Sequence, residues 1–246
     1  MSAPVQAPAL WRLMQLTAGV VQATVAGKSM TAQLEAVPAA LRPGVQALSF
    51  QVMRQLGRAR ALRQLLAPRR PPPAVDALLC SALALCWNEA QSPYPGHTLV
   101  SQTVEAARRQ RQTQGQSGFI NACLRRFLRE RDTLLAQTAD DLQAQWNHPL
   151  WWIERLQQDY PQHWQRLLAH AQVPAPMTLR VNRLRTTVAD YQARLEAAGL
   201  GGSLRVGGSG LQLERAVPVG LLPGFEAGDV SVQDAAAQVA APLLLE

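Results

Sequence analysis

The stretch Ser117-Gly-Phe-Ile-Asn-Ala-Cys-Leu-Arg-Arg-Phe-Leu-Arg-Glu130 indicates how the chain around it packs. Its apolar residues recur at three- and four-residue spacing, which places them on one face of an α-helix. Ser117 is predicted to cap the N-terminus by accepting a hydrogen bond from an amide of the first turn. The stretch therefore predicts one amphipathic helix whose core-facing stripe is Phe119, Ile120, Cys123, Leu124, Phe127 and Leu128.

The opposite side of this helix is basic, and the helix predicted before it, residues 98–110, also ends in arginines. A solvated surface is one interpretation, because charged side chains usually lie on protein surfaces. A surface that binds a polyanion is the other. The arginines are Arg108, Arg109 and Arg111 around the end of the first helix, and Arg125, Arg126, Arg129 and Arg131 on or just after the second.

The composition is that of a folded, basic protein. Of the 246 residues, 48% are apolar and 17% are charged, so the chain has enough apolar residues for a core. The net charge is +7, and Lys28 is the only lysine. Arginine grips phosphate with two parallel hydrogen bonds, so this balance favours nucleic acid or another acidic surface as the partner. The alternative is that arginine- and alanine-rich composition reflects the base composition of a genome.

Cysteine and hydropathy patterns predict a reducing compartment. Cys80, Cys86 and Cys123 are odd in number, lie in apolar helical contexts and show no C-x-x-C spacing, so neither a disulfide framework nor a zinc site is expected. The four histidines show no metal-ligand spacing either. The N-terminus lacks the basic region of a signal peptide, and no apolar run of about 18 residues occurs. We therefore expect a cytoplasmic protein with no membrane and no metal partner.

Helical patterns continue through the first two thirds of the chain. The segment 75–88 is almost wholly apolar and is predicted to be the central helix, and 43–67 is predicted as one longer helix. Trp146, Trp151, Trp152 and Trp164 lie in two further helical segments, 138–145 and 151–172, where we expect packing anchors rather than a base-stacking platform. A strand at 178–182, a helix at 186–198, a glycine-rich loop at 201–210 and a strand at 211–214 follow.

No catalytic constellation is visible in these residues. The glycine-rich loop fits neither G-x-G-x-x-G between a strand and a helix nor a P-loop, so we expect a plain loop. Asp140 and Asp141 are adjacent and therefore point in different directions, so they form no acid–base pair.

Several stretches together resemble one protein family. The first four are similar to the NusB-type RNA-binding fold: Leu48–Arg54, Tyr94–His97, Thr103–Ala106 and Gly118–Phe127. Four more follow in order: His148–Trp151, Pro176–Asn182, Leu222–Phe225 and Val230–Gln238. The succession resembles the RsmB/Sun branch of the RsmB/NOP family of RNA cytosine-C5 methyltransferases, and the Leu-Arg-Val-Asn and Val-Gln-Asp segments are its most specific part.

The resemblance implies a mainly α fold, in which a NusB-like helical bundle is followed by a small, incomplete α/β (RRM-like) subdomain. The implied domains are a helical RNA-binding domain at 1–137, a Trp-rich helical connector at 138–175, and the N-terminal RRM-like subdomain of a methyltransferase core at 176–246. Because that sheet would be incomplete, residues 176–246 are expected to be looser than 9–135. Amide exchange would measure this difference. Val239 and Leu243 to Leu245 are expected to lack apolar neighbours.

The family's glycine-rich cofactor loop and both of its motif cysteines are expected beyond Glu246. S-adenosylmethionine is thus implied as cofactor of the full-length family, with none expected to bind this chain. Cys80, Cys86 and Cys123 match neither cysteine motif, so the resemblance assigns no catalytic, cofactor-binding or metal-binding residue here. Gln51 and Gln172-Val173 depart from the family's usual residues at their positions.

The sequence therefore predicts the RNA-binding N-terminal region of a 16S rRNA (cytosine-C5)-methyltransferase. One alternative is a stand-alone NusB-like RNA-binding module in transcription antitermination or ribosome assembly, and another is a helical domain that binds only protein. The predicted RNA contacts are Arg108, Arg109, Arg111, Arg125, Arg126 and Arg129, with Arg180 and Arg183 in the second domain.

Overall fold

The computed structural model describes residues 8–243, so Leu244 and Leu245, which were expected to lack apolar neighbours, lie outside the described part. The chain divides after Val173 into two compact units. The predicted fold class is confirmed, because a helical bundle is followed by a small sheet.

The first unit is built from helices joined by short turns. In chain order they are α1 (Leu10–Val25), α2 (Met30–Glu35), α3 (Arg42–Arg54), α4 (Leu56–Leu66), α5 (Pro73–Cys86), α6 (Gly96–Arg108), α7 (Ser117–Arg129), α8 (Arg131–Gln137), α9 (Leu142–Trp146), α10 (Leu150–Asp159) and α11 (Trp164–Ala171).

Helix α5 is the centre of this bundle, as predicted. Every residue from Val75 to Cys86 is buried, and α5 packs against α1, α3, α4, α6 and α7. Pro73 begins the helix at a position where its missing amide hydrogen is no loss, because first-turn amides have no partner within a helix.

Helix α7 confirms the amphipathic prediction in its centre but not at its start. Ile120, Cys123, Leu124 and Phe127 are buried in the bundle core, and Leu128 is partly buried against it. Phe119 is 37% exposed, so its assignment to the core-facing stripe is wrong. Ser117 makes no capping hydrogen bond, so that prediction is wrong. The 3-10 turn Gln114–Gln116 runs directly into α7, and Ser117 already has helical backbone angles, so its side chain is not in the geometry of a cap.

Two helices that were predicted as continuous are broken. Residues 43–67 form α3 and α4, which are separated at Gln55, where φ is −120°. Residues 151–172 form α10 and α11, which are separated around Pro161. Proline disfavours a helical backbone in the residue before it, and Tyr160 is accordingly non-helical, with φ −135° and ψ 58°.

The tryptophans after the bundle divide into two classes. Trp146 and Trp164 meet edge to face with ring centroids 5.4 Å apart, beside a small core of Ile153, Leu156 and Leu168. Trp151 and Trp152 are 66% and 39% exposed and contact each other edge to face, so the prediction of a packing anchor is wrong for both.

The second unit is a four-stranded antiparallel sheet with one helix against it. Its elements are β1 (Thr178–Val181), α12 (Val188–Ala197), β2 (Ser203–Val206), β3 (Gly210–Leu213), β4 (Val230–Val232) and the short α13 (Ala240–Leu243). The strand order is β2-β3-β1-β4, so the first strand lies in the middle of the sheet.

One face of this sheet forms a core with α12, in which Tyr191 and Leu195 pack against Leu179, Val181 and Leu211. The glycine-rich segment was expected to be a plain loop, but it contains β2 and the hairpin turn to β3. That expectation is therefore wrong. Val239 and Leu243 are 53% and 64% exposed, as expected for apolar residues without neighbours.

Candidate RNA-binding surface

A groove of about 550 Å³ runs between α6 and α7. Val100, Val104 and Leu128 provide apolar lining, because α6 and α7 turn apolar residues toward each other where they pack. The remaining lining is polar or basic. We call this surface the α6–α7 groove, and its other lining residues are His97, Ser101, Arg108, Asn121, Arg125 and Arg129.

The arginines of the groove carry little compensating negative charge. Within residues 8–243, Arg108 and Arg125 make no ion pair with a carboxylate. The Nε of Arg125 donates to Oδ1 of Asn121 at 3.1 Å, which positions the guanidinium without neutralising it. Arg129 lies 3.9 Å from Glu130, a carboxylate that also pairs with Arg126 at 2.9 Å. Three arginines thus line one partly apolar groove, an arrangement that can bind phosphate while a base contacts the apolar part of the lining.

The other predicted arginines of the bundle lie outside this groove. Arg109 is bound to Glu105, and its guanidinium stacks over the ring of Trp11 at 4.5 Å. Arg126 is held by Glu130, and Arg111 is exposed in the turn after α6. Of the six arginines predicted here, the fold brings Arg108, Arg125 and Arg129 together.

Arg180 and Arg183 belong to the second unit. Arg180 lies on β1, on the sheet face opposite α12, and its Nη1 is 3.4 Å from Oε1 of Gln233. Arg183 is exposed in the loop between β1 and α12. Neither makes an ion pair in the part of the chain that the structure describes.

Two arginines in basic stretches have internal roles. Arg131 was predicted to face water or a polyanion, but its side chain is only 16% exposed; it pairs with Glu89 and donates to the carbonyl of Cys86. That prediction is wrong, because Arg131 begins α8 and turns back toward the end of α5. Arg63 is buried and pairs with Asp76 at 2.9 Å.

The carboxylate of Asp229 joins two arginines of the second unit. Arg185 contacts Oδ1 at 2.7 Å, and Arg194 contacts Oδ2 at 2.9 Å. The hydrogen bond from Arg185 is the main cause that lowers the pKa of Asp229 below its usual value, and the bond from Arg194 adds to it. These two salt bridges connect the β1–α12 loop, through Arg185, and α12, through Arg194, to Asp229, which directly precedes β4.

Acidification is expected to loosen the β1–α12 loop. Because the folded pKa of Asp229 is lowered, its stabilising contribution is complete above the unfolded pKa of about 3.9 and is lost as the pH falls through the lower folded value. The NMR amide signals of Asn182–Thr186 in the wild type should shift in that acidic window. At neutral pH, Asp229→Asn should show loop signals similar to those of the acidified wild type. Identical wild-type and Asp229→Asn loop signals at neutral pH would contradict the assignment.

The glycines do not fit a nucleotide-cofactor loop. Gly199 and Gly202 lie between α12 and β2, and Gly207 turns the β2–β3 hairpin, each with positive φ. A phosphate- or nucleotide-binding loop leads from a strand into a helix, whose N-terminus faces the ligand. None of the glycine turns of residues 199–210 leads from a strand into a helix.

The cysteines are buried thiols. Burial raises the pKa of Cys80 and Cys86 to about 12 and also raises that of Cys123. A thiolate is the reactive form, so these side chains are poor nucleophiles at neutral pH. Residues 8–243 contain no cluster of three potential metal ligands. In the same range, no helix is both long and apolar enough to cross a bilayer.

Two family models match the chain. One is described as the NusB family and matches residues 7–129, which is half of the chain. The other is described as Methyltr_RsmF/B-like, ferredoxin-like domain, and matches residues 148–220. The second match spans β1 to β3 and the helices before them.

Three curated relatives share one name. Ribosomal RNA small subunit methyltransferase B of Vibrio cholerae is 34% identical over 219 residues, which cover 87% of this chain and 50% of the relative. A probable ribosomal RNA small subunit methyltransferase B of Coxiella burnetii is 39% identical over 61% of this chain and 35% of the relative. An Escherichia coli protein named ribosomal RNA small subunit methyltransferase B is 42% identical over 58% of this chain and 33% of the relative. The chain spans half or less of the length of these relatives.

A solved structure, the crystal structure of PH0851, covers 99% of this chain and 56% of its own chain, with a TM-score of 0.65. At 16% sequence identity, this similarity supports the fold alone. Through residues 7–129 the chain belongs to the NusB family, and with the RsmF/B-like ferredoxin-like domain that follows it has the N-terminal domain succession of the RsmB branch of the RsmB/NOP RNA methyltransferases.

Proposed function

We propose that this chain holds RNA for a methyltransferase of the ribosomal RNA small subunit type. The observation that carries the proposal is the α6–α7 groove, where Arg108, Arg125 and Arg129 lie around an apolar lining with little neutralising charge. Phosphate groups would be bound by the guanidinium forks, and an unstacked base would contact the apolar lining. The substrate of the proposal is 16S rRNA, and the methylated atom is C5 of a cytosine.

The proposal divides the work between regions of the protein. Residues of this chain bind and orient RNA, with Arg180 and Arg183 adding contacts from the second unit. S-adenosylmethionine supplies the methyl group when it is bound, and the geometry of the glycine turns favours placing its site outside residues 199–210. Cytoplasmic location fits this role, because rRNA is there and the buried cysteines are free thiols.

A stand-alone NusB-like module in antitermination or ribosome assembly accounts for less of the chain. It explains residues 7–129 but leaves the match of the ferredoxin-like domain at 148–220 without a role. A purely protein-binding bundle leaves unexplained why Arg108 and Arg125 of the groove make no ion pair within residues 8–243.

Replacing Arg108, Arg125 and Arg129 together with alanine is expected to weaken RNA binding and flatten its salt dependence. Each phosphate contact on a single strand adds about 0.7 to the slope of log affinity against log salt, so losing three contacts should reduce the slope by about 2. Affinity for an rRNA fragment is measured over a series of salt concentrations.

A charge-matched control distinguishes the effect of losing groove contacts from the effect of lowering the protein's net charge. Arg69, Arg155 and Arg166 are exposed arginines that do not line the groove, and their triple alanine variant removes the same charge. We expect it to change the slope much less than the groove variant. An equal slope for the groove variant and the wild type would remove the groove from the proposal.

A further inference from the structure

Leu184 is 97% exposed, whereas no other large apolar side chain described by the structure exceeds 66%. It lies in the β1–α12 loop, between Arg183 and Arg185. Single exposed apolar residues are common on protein surfaces and carry no meaning by themselves. The exposure of Leu184 is informative only together with the hydrogen bonds that hold its loop and the charges that flank it.

The loop is held by hydrogen bonds that converge on Asn182. The amide of Asn182 donates to the carbonyl of Asp229 at 2.9 Å, and its Nδ2 donates to the carbonyl of Gly228 at 3.0 Å. Oδ1 of Asn182 then accepts the amide of Leu184 at 3.2 Å. The amides of Arg185 and Thr186 both donate to the carbonyl of Asn182. Leu184 is thus fixed at the tip of a preformed turn rather than exposed by a flexible chain.

The charge around this tip selects the kind of partner. Between Met177 and Asp190 the chain carries Arg180, Arg183 and Arg185 against one carboxylate, Asp190, which accepts a hydrogen bond from Thr187. Asp229 faces both Arg185 and Arg194, so one carboxylate serves two guanidinium groups. The surface around Leu184 is therefore cationic, and its partner is expected to be a polyanion.

The isolation of Leu184 argues for RNA rather than protein. A stable protein interface buries about 800 Å² on each partner around an apolar centre, whereas the neighbours of Leu184 are arginines and polar residues. A single apolar side chain flanked by cations is instead the arrangement by which proteins wedge apart stacked bases while binding the adjacent phosphates.

We propose that Leu184 is an RNA wedge, which inserts beside an unpaired or weakly paired nucleotide while Arg183 binds a neighbouring phosphate. The inference rests on the proposed function and deepens it, since chemistry on a base requires that the base leave its stack. The ligand class is RNA with an accessible single-stranded step, and the fully paired duplex is the poorer ligand.

The test uses the full chain and an RNA hairpin whose loop carries a fluorescent adenine analogue, which brightens when it is unstacked. Leu184→Ala is expected to lower affinity about tenfold, because most of the apolar contact between the leucine side chain and the base is lost. Its salt slope should equal that of the wild type, because no charge is removed, and the rise in fluorescence on binding should be lost. Leu184→Met should retain both readouts.

Two companion variants complete the design. Leu221→Ala removes another exposed leucine of the same unit, which is 60% exposed, and should leave affinity and fluorescence unchanged. Arg183→Ala should lower affinity and reduce the salt slope by about 0.7, one phosphate contact on a single strand.

The outcomes separate the two proposals. If the wild type binds RNA and Leu184→Ala matches it in affinity and fluorescence, the wedge is overturned while the RNA-binding function stands; a protein-docking leucine would give this result. Equal losses on the hairpin and on a fully paired duplex also overturn the wedge. Failure of the wild type to bind RNA at low salt overturns both proposals.

Discussion

Replacing Gly57 with alanine is expected to destabilise the first unit by about 2–3 kcal/mol, as overpacking of a tight contact does. A Cβ atom at this position would lie 2.2 Å from the carbonyl oxygen of Gln143 and 3.1 Å from the Cα of Asn147. Both neighbours are backbone atoms, so no side-chain rotation relieves the clash. Helix α9 would have to move away from α4, against which it packs.

The same contact explains why the chain breaks between α3 and α4. The break leaves the carbonyl of Met53 and the amide of Gly57 without helical partners. Asn147 satisfies both: its Oδ1 accepts from Gly57 at 2.6 Å, and its Nδ2 donates to Met53 at 2.9 Å. Asn147 has a left-handed backbone, with φ 56°, which asparagine tolerates better than most residues.

Chemical denaturation of Gly57→Ala measures the effect, and Gly19→Ala is the matched control. Gly19 lies inside α1 and an added Cβ would meet nothing within 4 Å, so the control should be stabilised by about 0.5–1 kcal/mol through helix propensity alone. Asn147→Gly keeps the left-handed backbone but leaves two polar groups unpaired, and it should also be less stable than the wild type. Equal stability of Gly57→Ala and the wild type would contradict the close packing of α9 on α4.

The contrast between α5 and the α3–α4 break shows which features the sequence determines locally. The apolar run of α5 and the three- and four-residue spacing in α7 predicted the right helices, because burial follows the helical period. The local signal at the α3–α4 break is weak, since Gly57 lowers helix propensity but does not by itself end a helix. The hydrogen bonds that satisfy the break come from Asn147, which is 90 residues beyond Gly57 in the chain. Pro161 did carry a local signal for the break between α10 and α11, and the prediction of one helix over 151–172 overlooked it.

The candidate surface was predictable in part. Arg108 and Arg109 are adjacent and chemically identical, but the fold turns one into the groove and binds the other to Glu105 and Trp11. Charge patterning places such arginines on a surface, but it does not distinguish free from paired guanidinium groups, because the pairing depends on other helices. Leu184 had no signal in the sequence either, since its exposure results from hydrogen bonds to the backbone at Gly228 and Asp229.

Replacing Asp76 with alanine is expected to cost about 3–5 kcal/mol of folding free energy, because it leaves a buried arginine without its counter-charge. Asp76 and Arg63 have side chains that are only 11% and 10% exposed, and they meet at 2.9 Å between α5 and α4. Arg70 pairs with the other carboxylate oxygen at 3.0 Å but is 68% exposed, so it can turn toward water when the carboxylate is lost. Arg63 is buried and cannot turn toward water, so its uncompensated charge in the interior accounts for most of the lost folding free energy.

Two further variants test whether the loss of stability comes from the burial of the Arg63–Asp76 pair. Glu130→Ala breaks the exposed pair with Arg126 and should cost less than about 1 kcal/mol, because water screens such pairs. The double variant Arg63→Met/Asp76→Leu removes both charges and keeps apolar volume, so it should regain most of the stability that Asp76→Ala loses. If the double variant is as unstable as the single one, packing rather than the uncompensated charge of Arg63 is the cause.

Because α5 contacts α6 and α7 as well as α4, loss of the Arg63–Asp76 pair should also weaken RNA binding at temperatures near the unfolding transition. At temperatures well below that transition, the salt slope of RNA binding should be unchanged, because no groove arginine is altered.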